Sequence, residues 1–399
     1  MYMNILIVSD TYLPYITGVS VSTDSIARYM VSQGHKVTIV CPKPIARGTV
    51  EPMKGLTIIN VPSLPFTFYN LNAVTIFPLA LPILEKLIRG VKFDVAHIQE
   101  AGVLGIAALI KVKKYHIPVI GALHFIPEQI DRVLWGKFEN VLTPVINVYV
   151  KLIYNKYDEA MAPSNFFANY LKRVGVIRPI NVISNGTDIR IFHPAGLNKT
   201  LRKRLGFSDQ DFVFFFLGRI DKDKNVETLV RAMPFTDPEV KLLIVGKGTQ
   251  DKFLHSLSKK LKVQNKIVWI DYITDSEMAD FYHAVDAFSI MSPYEGQSIV
   301  TLQAVASGLP VIAARAGALP ELCRNNENGF LVDTYDFRTL SERMNRLARH
   351  KELREKFGRE SRKISLAHNK VDVLHKLELI FDKLGKHTSR AHQGNISQK

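Results

Sequence analysis

The chain has 399 residues, enough for two domains of ordinary size, and at 47% hydrophobic and 22% charged side chains it can bury sizeable cores. That composition excludes a disordered or fibrous protein, and two cysteines, Cys41 and Cys323, exclude a disulfide scaffold or a cysteine-cluster metal site and fit a reducing cytoplasm. Lysine and arginine outnumber aspartate and glutamate by 52 to 37, and the net charge of +15 is spread over both halves, which favours an anionic partner. No RNA-binding signature or zinc-finger spacing accompanies the charge, so nucleic acid is not the expected partner.

Taken in chain order, NILIVSD (4–10) opens as an apolar strand with no signal-peptide pattern before it. A turn-rich segment with Pro14 and Gly18 follows, then a helix over about residues 21–33 that Gly34 stops. KVTIVC (36–41) is the next strand, with others at 56–61, 95–98 and 118–122 and a helix at 103–114 between the last two. The longest apolar stretch, residues 73–84, holds Pro78 and Pro82 and falls well short of the ~18–20 residues that span a bilayer. Short apolar strands alternating with helices imply a parallel sheet covered on both faces.

The pattern restarts at FVFFFL (212–217), read as a core strand, with a helix at 226–233 and strands at 241–245, 266–270, 287–291 and 310–313. Two successive α/β units suggest two Rossmann-like domains facing a central cleft, joined near residues 188–197, where NGTDIRIFHPAG carries turn residues and a proline. Basic helices at 351–363 and 371–383 close the ordered chain, and residues 385–399 are polar and expected to be disordered.

Three segments carry chemistry. LGRIDKDKN (217–225) projects Arg219 and Lys224 beyond a strand end, where open α/β sheets bind ligands, and a forked guanidinium with an ammonium suits a diphosphate. Asp221 and Asp223 match a D-x-D metal pattern, but three basic neighbours point to local neutralisation instead, and no metal is expected. SPYEGQSIVTLQAVASGLPVIA (292–313) presents Glu295 and Gly296 in a turn and starts a helix near Ser298, whose first amides form an anion site. Gln303 lies eight residues beyond Glu295, about two helical turns, and so is expected on the same face. In the first half, Gly18 offers a close backbone approach after the first strand, and His124 in VIGALHFIPEQ (119–129) stands just past a strand end. Alone, each of these has an ordinary structural reading: a solvated loop, a self-capping turn, a satisfied core histidine.

Together the pieces resemble glycosyltransferase family 4, the retaining GT-B enzymes that use nucleotide-sugar donors. The resemblance rests on the Pro14/Gly18 loop, DVAHIQE (94–100), His124, APSNF (162–166), ISNGTDIRIFHP (183–194), GRIDKDK (218–224), LLIVGKG (242–248), EGQSIVTLQ (295–303), GLPVIA (308–313) and GFLVD (329–333). It implies that Arg219 and Lys224 hold the donor diphosphate and that Glu295 and His124 are the catalytic residues at the donor sugar. Gly18, Gly296 and the amides of Ser298, Ile299 and Val300 would complete the donor site. The family pattern places a second, ribose-binding glutamate where this chain has Gln303, an amide that still accepts a hydrogen bond but lacks the charge. The expected division is an acceptor-binding domain at 1–192, a nucleotide-sugar-binding domain at 193–361, and a helix at 362–384 packing back on the first domain.

Retention is expected by same-face attack, with the leaving phosphate deprotonating the acceptor and no cofactor. The first domain looks similar to that of lipid-glycosylating members, including diacylglycerol glucosyltransferases. Apolar and aromatic stretches beside Lys86, Arg89 and Lys92 (62–93) and Lys151 and Lys156 (138–157) would face an anionic lipid surface. Buried core helices with snorkelling lysines are the alternative for those stretches. A cytoplasmic enzyme, peripheral on the inner face of the cell membrane, follows. A soluble-acceptor or polysaccharide transferase, or a catalytically weak nucleotide-sugar-binding protein, remains the alternative.

Overall fold

The computed structural model describes residues 2–15, 17–45, 50–68, 71–125 and 139–396. The chain divides into two compact units, Met1–Ser184 with Val373–Lys399, and Asn185–Asp372.

The first unit holds strands β1 (Asn4–Val8), β2 (Lys36–Pro42), β3 (Leu56–Val61), β4 (Ser63–Phe68), β5 (Leu71–Thr75), β6 (Val95–Ile98), β7 (Val119–Ala122), β8 (Glu159–Ala162) and β9 (Ile180–Val182). Seven of them form a parallel sheet in the order β3-β2-β1-β6-β7-β8-β9. Strands β1, β6, β7 and β8 are mostly apolar, with Asn4, His97 and Glu159 as the polar exceptions, the composition of parallel strands covered on both faces. β4 and β5 form a separate antiparallel hairpin within the stretch read from the sequence only as apolar.

The second unit is a six-stranded parallel sheet of β10 (Phe212–Leu217), β11 (Val240–Val245), β12 (Ile267–Ile270), β13 (Ala287–Ile290), β14 (Val311–Ala314) and β15 (Gly329–Val332), ordered β12-β11-β10-β13-β14-β15. FVFFFL is core as expected, with Phe214, Phe215 and Phe216 buried among Leu243, Tyr282 and Phe288.

Several boundaries differ from the sequence reading. The first helix runs Gly18–Ser32, not from residue 21, because Thr17 and Ser20 form a reciprocal capping box at its start. Gly18 is therefore a helix residue rather than a loop residue, and a Cβ there would meet nothing within 4 Å. The division between units falls at Ser184/Asn185 rather than near 192, since the Asn185 amide donates to Gln297 Oε1 at 2.6 Å and Phe192 joins the second core. The last helix runs Lys370–Ile396 and takes in most of the stretch expected to be disordered. No proline interrupts it, and a helix already nucleated gains one bond per added residue. Val373, Leu374, Leu377, Phe381 and Leu384 of this helix lie in the core of the first unit.

Candidate functional site

In the second unit the sheet order reverses at β10, which has β11 on one side and β13 on the other. Such a switch point leaves a crevice at the carboxyl ends of the strands. The loop after β10 carries Arg219 and Lys224, and the loop after β13 carries Glu295. The structure brings the last two together: Lys224 Nζ donates to Glu295 Oε1 at 2.8 Å, with both side chains largely covered. Burial alone would lower the Lys224 ammonium, but Glu295 and Asp223 outweigh it and hold the group above its ordinary value. It stays charged.

Two residues not singled out from the sequence set this geometry. Asn225, in the left-handed conformation, donates from Nδ2 to Met291 O at 3.0 Å and to Thr334 O at 2.7 Å, so the β10 loop is pinned to the chain leaving β13 and β15. Gly317, with φ +55°, packs against the Glu295 backbone, where a Cβ would lie 2.6 Å from Glu295 O. The Ala318 amide donates to that same oxygen at 2.8 Å. Asn225 ends the segment LGRIDKDKN, where its polarity is the only local clue, and nothing local marks Gly317.

Arg219 is 44% exposed and forks onto Asp221 and, at 3.1 Å, Asp223. Asp221 Oδ1 also accepts from the Thr249 amide and hydroxyl at 2.8 and 2.9 Å. The aspartates of the D-x-D pattern thus orient the guanidinium, the neutralising role read from their basic neighbours.

Glu295 and Gln303 do not share a helix face. The helix is Ile299–Ala306, so Glu295 lies in the preceding turn and helical spacing does not relate the two. Gln303 Oε1 instead accepts from the buried Tyr282 hydroxyl at 3.0 Å, an aromatic that the motif reading did not include. Ser298 is the N-cap and its hydroxyl accepts from the Thr301 amide at 3.3 Å. The amides of Ile299 and Val300 then open the helix, where an intrahelical partner is lacking by geometry and the dipole favours an anion. Gly296 stands in the turn just before them.

The first unit has its own switch point between β1 and β6. Asp10, after β1, accepts from the Leu104 and Gly105 amides at 2.8 and 3.1 Å, and so caps the helix Val103–Lys114. Glu100, after β6, accepts from the Thr11 amide at 2.8 Å and from the Ser9 and Thr11 hydroxyls. Burial first, and the Asp10 charge second, push the Glu100 carboxyl above the usual range. His124, just after β7, is held at 2.9 Å by Gln99, and burial pushes it down to about 4.

A profile described as "Glycosyltransferase Family 4" matches residues 16–190, and one described as "Glycosyl transferases group 1" matches residues 198–364. The chain belongs to glycosyltransferase family 4. Among curated relatives of this glycosyltransferase, the GDP-mannose-dependent alpha-mannosyltransferase of Corynebacterium glutamicum is 26% identical over 84% of this chain and 78% of its own. The alpha-monoglucosyldiacylglycerol synthase of Streptococcus pneumoniae is 27% identical over 78% of this chain and 71% of its own. Among solved structures, sucrose-phosphate synthase from Thermosynechococcus elongatus has a TM-score of 0.81 at 19% identity, covering 96% of this chain and 99% of its own. HepE of Anabaena, solved with UDP, has a TM-score of 0.77 at 19% identity, covering 96% and 100%. At those identities the likeness shows the fold alone, which is the α/β GT-B class expected from the sequence.

Proposed function

We propose that this glycosyltransferase is a retaining hexosyltransferase that moves a hexose from a nucleotide diphosphate sugar to a hydroxyl of a membrane lipid such as diacylglycerol. The observation that carries the proposal is the Lys224–Glu295 pair at the β10/β13 switch point, beside the opening amides of the helix Ile299–Ala306. Arg219, Lys224 and those amides take the diphosphate, and they spread its charge as the leaving group departs. Glu295 accepts hydroxyl hydrogen bonds from the sugar, with Gly296 letting the chain approach it; by the family resemblance His124 and Gly18 are donor contacts too. The acceptor oxygen forms a bond to the anomeric carbon on the face from which the diphosphate leaves. The hydroxyl proton passes to the departing phosphate oxygen, so the products are a glycoside of retained configuration and a nucleoside diphosphate. The cations supply the charge that a metal would, and no cofactor is required.

The lipid acceptor is supported by the pneumococcal relative, named for synthesis of a glucosyldiacylglycerol. It is supported too by the helix Glu139–Tyr154, which turns Val145, Val148 and Leu152 outward at 60%, 57% and 59% exposure, with Lys151 exposed beside them. Among the described residues no helix is long and apolar enough to cross a membrane. Contact with lipid through the exposed face of Glu139–Tyr154 would be peripheral, at the inner face of the cell membrane.

The test is turnover of labelled UDP-glucose and GDP-mannose with vesicles of diacylglycerol in anionic lipid, with the anomer of the product read by NMR. An α-linked glycolipid from an α-linked donor is expected. Arg219→Ala and Lys224→Ala should each weaken nucleoside diphosphate binding by about 1.5–3 kcal/mol in calorimetry. Transfer only to water-soluble acceptors would replace the lipid reading, an inverted anomer would remove the retaining mechanism, and unchanged affinity in both variants would remove the diphosphate assignment.

A further inference from the structure

β6 delivers His97 and, one residue past its end, Gln99 into the interior of the first unit, and both are wholly buried. The Gln99 amide N–H still donates to Val8 O at 2.8 Å, so its backbone is fixed as firmly as a strand residue. Its side chain lies between two imidazoles. Nε2 stands 3.2 Å from His97 Nδ1, and Oε1 stands 2.9 Å from His124 Nε2.

The two ends of a carboxamide are not equivalent: the oxygen only accepts and the nitrogen only donates. The contact to Oε1 therefore requires the His124 proton on Nε2 and leaves Nδ1 with its lone pair. The contact to Nε2 requires a bare Nδ1 on His97 and places that ring's proton on Nε2. His97 Nε2 has no hydrogen-bond partner among the described residues, and the ring meets Phe381 edge-on at 5.4 Å between centroids. The inner ring is thus anchored by packing and by one polar contact, the amide itself.

We propose that Gln99 is the positioning residue for His124: its side-chain amide, braced by His97, selects the Nε2–H tautomer and sets the ring so that Nδ1 is the face offered to substrate. A neutral imidazole has two tautomers, and whichever nitrogen is engaged decides what the other can do. With Nε2 committed to Gln99, His124 meets a ligand as a hydrogen-bond acceptor through Nδ1, suited to a sugar hydroxyl and unable to donate to a phosphate. This deepens the proposed function and rests on its reading of His124 as a donor-sugar contact.

The test uses the full chain labelled with [15N]histidine and records two-bond 1H–15N spectra. In the wild type, His124 should show a pyrrole-type Nε2 and a pyridine-type Nδ1. Gln99→Leu, which has no polar atom to offer, should mix the tautomers and lower kcat about tenfold with a much smaller change in donor KM. Gln99→Glu keeps an acceptor toward His124, so it should restore the Nε2–H pattern and raise the pH at which the His124 signals titrate, a response that packing alone would not produce. A wild-type His124 protonated on Nδ1, a pattern unmoved in Gln99→Leu, or a His124 titration indifferent to Gln99→Glu overturns the positioning role. The spectra do not depend on turnover. A tautomer lock that behaves as described, with an indifferent His124→Ala in the transfer assay, would leave the lock standing and remove only the donor-contact reading.

Discussion

Gln303 stands where a carboxylate is expected, and the hydroxyl of Tyr282 already donates to its oxygen. A glutamate there can accept the same bond and add charge for a ribose hydroxyl, so Gln303→Glu should retain or tighten donor binding and keep turnover. Glu295→Gln should cut turnover sharply and also remove the charged partner of a covered lysine, which calorimetry and initial rates together would reveal. The reverse pair of results would exchange the roles of these two positions. Burial pushes His97 down to about 3, with the neighbouring His124 adding to it, from an ordinary value of 6.5. A histidine whose folded pKa is depressed stabilises the fold above the unfolded pKa, and that stability is lost as pH falls from there toward the folded pKa. Melting temperature should therefore drop more steeply between pH 6.5 and about 3 in the wild type than in His97→Leu. Parallel curves would mean that His97 titrates in the folded state as it does in the unfolded chain. Arg219, Lys224 and Glu295 stand out in the sequence because strand ends followed by cations or a turn glutamate are a local signal. Asn225, which pins the β10 loop to Met291 and Thr334, Gly317 behind Glu295, and Tyr282 on Gln303 all act across long sequence separations, and no local pattern carries that information.

At the scale of elements, alternation of short, mostly apolar strands with helices was enough to place both parallel sheets, because strands covered on both faces are dominated by apolar residues even where a His97 or Glu159 intervenes. The β4–β5 hairpin was not legible: Pro65 interrupts the first strand and the second merges into an apolar helix start. The helix Phe77–Gly90 buries Ala80, Leu84 and Ile88, so its apolar side is largely core. Arg89 on that helix pairs with Glu85 at 3.1 Å and donates to the Tyr115 hydroxyl at 2.8 Å, which leaves less of its charge for a lipid surface. The helix Glu139–Tyr154 is the better membrane candidate. Replacing Val145, Val148 and Leu152 with serine should weaken flotation with anionic vesicles, and Lys151→Gln should weaken it further at low salt, since each lysine near such a surface is worth about 1 kcal/mol. Added salt should erase the lysine effect and spare most of the apolar one. If the triple serine variant floats like the wild type, this face is not the lipid contact.

At the scale of the whole molecule, the first unit is discontinuous in sequence: it begins the chain, is interrupted after Ser184, and resumes at Val373. The resumed segment supplies Val373, Leu374, Leu377, Phe381 and Leu384 to the core that Ile5, Ile7 and Ile39 began. A chain ending at Asp372 should therefore keep the cooperative unfolding of the Asn185–Asp372 unit and lose that of the first, with dye binding to exposed apolar surface as the measurement. Two intact transitions in the truncated chain would mean that the helix is dispensable. The same arrangement sets an order of assembly on the ribosome. Domains generally fold as they emerge, the N-terminal one first, at about 5–20 residues per second. Here the part made first must wait for the part made last, while the middle unit is synthesised complete and can close on its own. For the tens of seconds that this takes, β1 and β2 stand without the helix that covers them, so the nascent N-terminal half is the stretch of this protein most in need of a chaperone.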